Sequence, residues 1–372
     1  MSFNDLDLYN NKINKQINRD IFLTLKENNF IFGRSVLKFE KLLSKFVGSK
    51  YAVSVGSGTD ALLLSLLSLQ LKKNDEIIIP SFSWLSVLEV VLLLNLKPIF
   101  VDTDTKTFNF DNSKIENLIS KRTKVIISTS LFGMSADLIR LKKICKRKGL
   151  TLIEDAAQNF GSKIGKYSAC NIADLTCTSF FPSKNLGAYG DGGAIFTNKK
   201  KYFDKLVRLR NHGQDRYNES KLVGINSRLG SLQASILIKK LQDIKKKKVR
   251  HQKLYLNYSN FFKKNQIEGF SCPRQKNLYD DMNSQFSILV KNRNLFIKNL
   301  KKFDIDYKIY YAKPLYKQFN LNNKIFLKNT EFVCKSIISL PFNDFSKSRF
   351  KKVLVKLKKI ISKERGIFFE KK

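Results

Sequence analysis

Between positions 51 and 154 the chain alternates short apolar runs with longer segments of helical periodicity, divided by turn-forming residues. Segments 51–55, 76–80, 98–102, 124–129 and 150–154 read as strands. Segments 59–71, 83–95 and 136–148 read as helices. These strands are apolar throughout rather than every second residue, which is the pattern of strands buried on both faces. The alternation therefore predicts an α/β fold with a mostly parallel central sheet. A helical pattern over 31–47, closed by Gly48, precedes it.

Downstream the pattern changes. Positions 174–198 hold short β-like pieces and a glycine-rich stretch over 187–193. Helices are expected at 200–210 and over a long span, 231–262. The remainder reads as a smaller α/β unit, with strands at 286–290 and 307–311 and helices at 295–303 and 346–362. The expected division is a large unit, 1–250, and a small C-terminal unit, 251–372. A cleft between two such units is a common ligand site.

Net charge is +38, carried by 69 Lys and Arg against 31 Asp and Glu. Such a balance raises the question of a polyanion partner. The lysines are dispersed, however, and no nucleic-acid-binding module is legible. They read as solvated surface charge, with the 245–248 lysine run as one wet helix face. No nucleic-acid or membrane partner is expected, although a basic surface favours an anionic substrate. The five cysteines, Cys145, Cys170, Cys177, Cys272 and Cys334, form no Cys-x-x-Cys pair, which fits a reducing cytoplasm and argues against a metal site. Residues 1–20 lack an apolar signal core, and the longest apolar runs, 61–71 and 87–96, are too short to span a bilayer.

Four local patterns carry chemistry, and each has a plainer reading beside the functional one. Gly56-Ser57-Gly58-Thr59-Asp60 joins a strand to a helix start, which suits a phosphate but is also an ordinary turn. In Glu154-Asp155-Ala156-Ala157-Gln158, Asp155 lies at a strand's carboxyl end, where sheets of this type bind ligands. It is either the partner of a cationic ring nitrogen or a helix cap. In Ser179-Phe180-Phe181-Pro182-Ser183-Lys184-Asn185-Leu186-Gly187 one lysine has apolar and small neighbours. Desolvation would make it nucleophilic; the alternative is a loop lysine in water. Trp84 is a platform for a flat ring or a core residue. A phosphate, a flat ring, a basic ring nitrogen and an aldehyde that reacts with an amine are together the features of pyridoxal 5'-phosphate (PLP).

On these motifs, with Pro80-Ser81-Phe82 among them and Gly190-Asp191-Gly192-Gly193 following in order, the chain resembles the DegT-type nucleotide-sugar aminotransferases, a branch of the fold type I PLP enzymes. The stretches from Arg210 to Tyr217 and from Gly224 to Leu229 are similar to those of members that aminate the 3-keto group of UDP-linked 2-acetamido-2-deoxy uronic acid for O-antigen-type polysaccharides. The resemblance implies a catalytic Lys184 that holds PLP and moves a proton. It implies Asp155 on the ring nitrogen, Gln158 near the ring's 3-hydroxyl, Trp84 stacked on the ring, and Gly58, Thr59 and Ser179 on the phosphate. It further implies a homodimer in which Asn226 reaches the phosphate and Arg228 a substrate carboxylate from the partner subunit. Glutamate would be the amino donor. Tyr310 and Tyr311 stand on the substrate side, where a His-Tyr-Pro run is usual, which bears on the identity of the sugar. Other departures from the pattern are Gly230, where an acidic residue is usual, and Phe132-Gly133-Met134 in place of Tyr-Gly-Gln. Two other functions remain to be weighed: a PLP-dependent sugar dehydratase, in which a histidine replaces the lysine, and a non-catalytic polyanion-binding protein.

Overall fold

The computed structural model describes residues 11–216, 218–271, 278–319, 321, 324–342 and 347–370. Cys272, Tyr217 and the expected helix start at position 346 lie outside the described residues. Seven strands form the central sheet: β1 (Tyr51–Val55), β2 (Glu76–Pro80), β3 (Lys97–Val101), β4 (Thr123–Thr129), β5 (Thr151–Asp155), β6 (Leu175–Ser179) and β7 (Gly193–Thr197). Their spatial order is β1-β7-β6-β5-β4-β2-β3. All neighbours run parallel except the two pairs that involve β7. The sheet is thus mostly parallel, as its unbroken apolar strands require.

Helices cover both faces. They are α1 (Asn11–Lys26), α2 (Arg34–Val47), α3 (Gly58–Leu67), α4 (Ser86–Leu93), α5 (Leu138–Lys148), α6 (Lys200–Leu209) and α7 (Ser231–Lys264). Strand side chains alternate between faces. Ile77, Ile79, Val125, Ile127 and Ile153 pack with residues of α3, α4 and α6. Ile78, Ile126 and Leu152 pack with α5 on the other side. Helix α2 buries Val36, Phe39, Leu43 and Val47, one stripe at helical spacing, against α7. Helix α1 was not expected, because its polar sequence carries few apolar positions; Ile17 is its fully buried contact.

The C-terminal part pairs β8 (Phe286–Leu289) with β9 (Ile337–Leu340) and adds α8 (Arg293–Lys302), α9 (Lys328–Ser336) and α10 (Lys347–Lys363). Its aromatic core contains Tyr255, Tyr258, Phe262, Phe286 and Phe368. Helix α7 runs unbroken through position 250, its first half buried in one core and its second half in the other. The expected strand at 307–311 does not form. Only Lys308 bridges, to Ser339, and the chain then turns so that Tyr310 and Tyr311 pack beside Phe82 and Phe132. Among the described residues no helix is long and apolar enough to cross a membrane, and no three His, Cys, Asp or Glu side chains cluster as metal ligands.

Candidate active site

The carboxyl ends of β1, β2, β5 and β6 open on one edge of the sheet, which also receives the first residue of the antiparallel β7. Beyond β1, Ser57 caps α3, its Oγ accepting from the Asp60 N–H at 3.0 Å. The first N–H groups of a helix lack intrahelical partners, and the dipole there favours an anion. Gly58 lies against the end of β6: a Cβ at this position would meet the Cβ of Ser179 at 2.7 Å. Glycine is therefore required for this approach, and it brings Gly58, Thr59 and Ser179 into one cup. Thr59 Oγ1 pairs with Ser86 Oγ at 2.9 Å, and Ser179 Oγ accepts from the Phe181 N–H at 3.2 Å.

Asp155 ends β5 and is buried. Its carboxylate accepts from the Ala157 N–H at 3.0 Å. Burial pushes its pKa up; the Ala157 N–H and the charge of Lys184 work against that rise. Burial likewise lowers the pKa of the Lys184 amine, and the charge of Asp155 opposes it. Each group thus acts on the other's ionisation in a poorly hydrated space. Asp155 does cap the turn that follows, through the Ala157 N–H, yet it is buried, and Lys184 is partly buried rather than a loop lysine in open water.

Lys184 sits in a bend over 181–187. Its N–H donates to Phe181 O at 2.8 Å, and Ala188 N–H donates to Phe180 O at 2.7 Å. Gly187 is forced here, since a Cβ would lie 2.2 Å from Pro182 O. Asn185 Nδ2 donates to Gln158 O at 2.9 Å and so ties the bend to the end of β5. The Gln158 side chain accepts from the Phe132 N–H at 2.8 Å and donates to the Tyr311 hydroxyl at 3.0 Å. Trp84 is 54% exposed, its ring tilted towards Tyr311 at a centroid distance of 6.0 Å. It is not a core residue, and its open face adjoins the site. Tyr310 packs on Tyr311 at 5.7 Å.

Asn226 and Arg228 stand apart from this group. Asn226 is exposed and bridges to Asn211. Arg228 donates to Asn211 Oδ1 at 3.0 Å, while its Nε is buried with no partner among the described residues. Between them, Ser227 accepts from the Gly56 N–H at 2.9 Å and donates to Asp60 at 2.8 Å, so this segment runs past the start of α3.

Three lysines do not behave as the sequence suggested. Lys247 and Lys248, expected on a wet helix face, are half-buried and donate to backbone carbonyls. Lys240 is 4% exposed and donates to Gly187 O at 2.7 Å. The lysine of the 181–187 bend is therefore not alone in an apolar setting. The available signal was the spacing of Gln233, Lys240 and Lys247, seven residues apart on one helix. Ser86, the partner of Thr59, carried no signal, because its place depends on the packing of α3 against α4.

The buried Asp155 carboxylate, the desolvated amine and the glycine-lined helix start fit the ring nitrogen, aldehyde and phosphate of PLP. Comparison with known proteins agrees. A UDP-2-acetamido-2-deoxy-3-oxo-D-glucuronate aminotransferase of Pseudomonas aeruginosa is 36% identical over 346 residues, covering 93% of this chain and 96% of that protein. A solved aminotransferase of the DegT DnrJ EryC1 StrS type from Brucella abortus superposes with a TM-score of 0.89 at 30% identity, covering 97% and 99% of the two chains. The structure of ntda from Bacillus subtilis, with bound cofactor PMP, superposes with a TM-score of 0.88 at 29% identity over 97% of this chain and 85% of that one. The DegT/DnrJ/EryC1/StrS aminotransferase family pattern matches residues 11–358, and this chain belongs to that family.

Proposed function

We propose that this enzyme is a PLP-dependent transaminase that moves the amino group of glutamate to the 3-keto position of a UDP-linked sugar. The product would serve cell-surface polysaccharide synthesis, and the enzyme would work in the cytoplasm. One observation carries the proposal: Asp155, buried at the end of β5, and Lys184, on the bend that Asn185 ties to the Gln158 carbonyl, stand close enough for each charge to act on the other's ionisation. The similarity to the Pseudomonas protein supports the choice of sugar.

PLP, when bound, supplies an aldehyde that carries the amino group and a ring that accepts electrons. Lys184 would hold the aldehyde and, once released, would serve as the base at the α-carbon of the amino donor. Burial lowers its pKa, the direction that favours an amine able to take that proton. Asp155 keeps the ring nitrogen protonated, because a buried carboxylate favours a cation beside it. Gly58, Thr59 and Ser179 receive the phosphate, and the exposed face of Trp84 takes the ring. Gln158, its amide fixed from both ends by Phe132 and Tyr311, would hold the ring's 3-hydroxyl. Tyr310 and Tyr311 border the sugar. Asn226 is exposed and Arg228 has a free Nε, which suits a homodimer in which both complete the partner's site.

The test is release of 2-oxoglutarate from glutamate with a panel of UDP- and dTDP-keto sugars. Turnover with a UDP-3-keto sugar is expected, and Lys184→Ala should lower it about 100- to 10,000-fold and remove the visible absorbance of the bound cofactor. Near-normal turnover by the alanine variant would overturn the assignment. Loss of keto sugar without 2-oxoglutarate would favour a dehydratase.

A further inference from the structure

We propose that Gln233, Lys240 and Lys247, seven residues apart along α7, form a polar row that fixes the backbone on which Lys184 is mounted. This inference rests on the function proposed above. Gln233 Oε1 accepts from the Tyr189 N–H at 2.9 Å. Lys240 Nζ donates to Gly187 O at 2.7 Å and lies 3.9 Å from the centre of the Tyr189 ring. Lys247 Nζ donates to Asn185 O at 3.0 Å and to Lys184 O at 3.3 Å. The helix and the bend therefore run in opposite directions, and three points of the bend meet three successive heptad positions.

The geometry is consistent. A heptad step drifts only about 20° around a helix, so all three residues share one face. Fourteen helical residues rise about 21 Å, and the five steps from 184 to 189 reach at most about 18 Å when extended. Long lysine side chains close the difference. Among the described residues, no backbone N–H donates to the carbonyls of Lys184, Asn185 or Gly187. Buried carbonyls need partners, and here the partners are cations on a rigid helix. Lys240 is almost wholly buried, a costly place for an amine unless it has an acceptor. Lys246, between the two lysines, is exposed and serves as a control.

These are positioning residues: they set where the Lys184 amine stands and do not touch the reacting atoms. The test uses Lys240→Met, Lys247→Met, the double variant, Lys240→Arg and Lys246→Met. In cofactor-free protein, hydrogen exchange of the 181–190 amides should quicken about tenfold or more in the double variant, with folding confirmed by a melting curve. With substrates, kcat should fall about 10- to 100-fold while KM for the keto sugar stays near that of the wild type, since a small misplacement of a reacting group acts on the chemical step. Lys240→Arg should recover part of the loss, and Lys246→Met should match the wild type. Unchanged exchange at 181–190, or a loss expressed only in KM, overturns the row. A wild-type protein that takes up no PLP overturns the proposed function instead, and the exchange experiment still decides whether the row fixes the bend.

Discussion

Neighbouring side chains in a strand point to opposite faces of the sheet, and this separates the two carboxylates at the end of β5. Asp155 faces Lys184. Glu154 is turned away, fully buried, and accepts from Ser130 Oγ at 2.9 Å and Thr176 Oγ1 at 3.4 Å. Burial raises the Glu154 pKa to about 8, against the pull of Ser130. The folded state thus holds a proton that the unfolded chain releases above the ordinary glutamate range. Stability from this group is full at low pH and is lost as pH rises towards about 8. Thermal melts of the wild type should fall across that window, and those of Glu154→Gln should stay flatter. An identical slope in both would show that Glu154 is ionised throughout. At Asp155 the expected defect is catalytic. Asp155→Asn removes the charge that holds the ring nitrogen protonated, and kcat should fall about 100- to 1,000-fold, as for other preorganised electrostatic groups. The same change should lower the Lys184 pKa further, since Asp155 opposes its depression; the pH dependence of Lys184 acylation in cofactor-free protein reports this.

Among the elements, α2 is joined to the sheet by a buried ion pair. Arg210, just after α6, pairs with Glu40 and donates to Ser54 O at 2.8 Å, while Glu40 accepts from the Ser54 N–H at 2.8 Å. Both side chains are mostly buried. Removing one member leaves the other charge without compensation. Arg210→Met should therefore cost about 3–5 kcal/mol in a denaturant titration. A cost below 1 kcal/mol would mean that water reaches Glu40 and replaces the guanidinium. The helices and strands themselves were legible wherever a helical period or an unbroken apolar run was present, as in α2, β2 and β4. The strand expected at 307–311 was not real, because Tyr307 packs on the C-terminal core while Tyr310 and Tyr311 turn to Phe82 and Phe132, so only Lys308 bridges. Helix α1 was missed although Ile13, Ile17 and Ile21 stand four residues apart, because the charged and amide residues between them make the segment polar on average.

At the scale of the whole molecule a net charge of +38 accompanies a site that takes a phosphate cofactor and, as proposed, a nucleotide diphosphate sugar. Long-range attraction to such a substrate is screened within about 10 Å at 0.1 M salt. kcat/KM for the sugar should fall as salt rises, with kcat little changed. Salt independence would reduce the lysines to a solvated coat. The amino-acid order by itself determined the α/β class and the parallel sheet, because hydrophobic periodicity and turn chemistry are local properties; it singled out Lys184, Asp155 and the glycine turn through their resemblance to a family's motifs. Only the tertiary structure decided which lysines are buried, that Gln158 is gripped by Phe132 and Tyr311, and that one face of α7 meets the carbonyls of the 184–187 bend. Those facts depend on contacts between residues tens to more than a hundred positions apart, and such contacts leave no period in the chain.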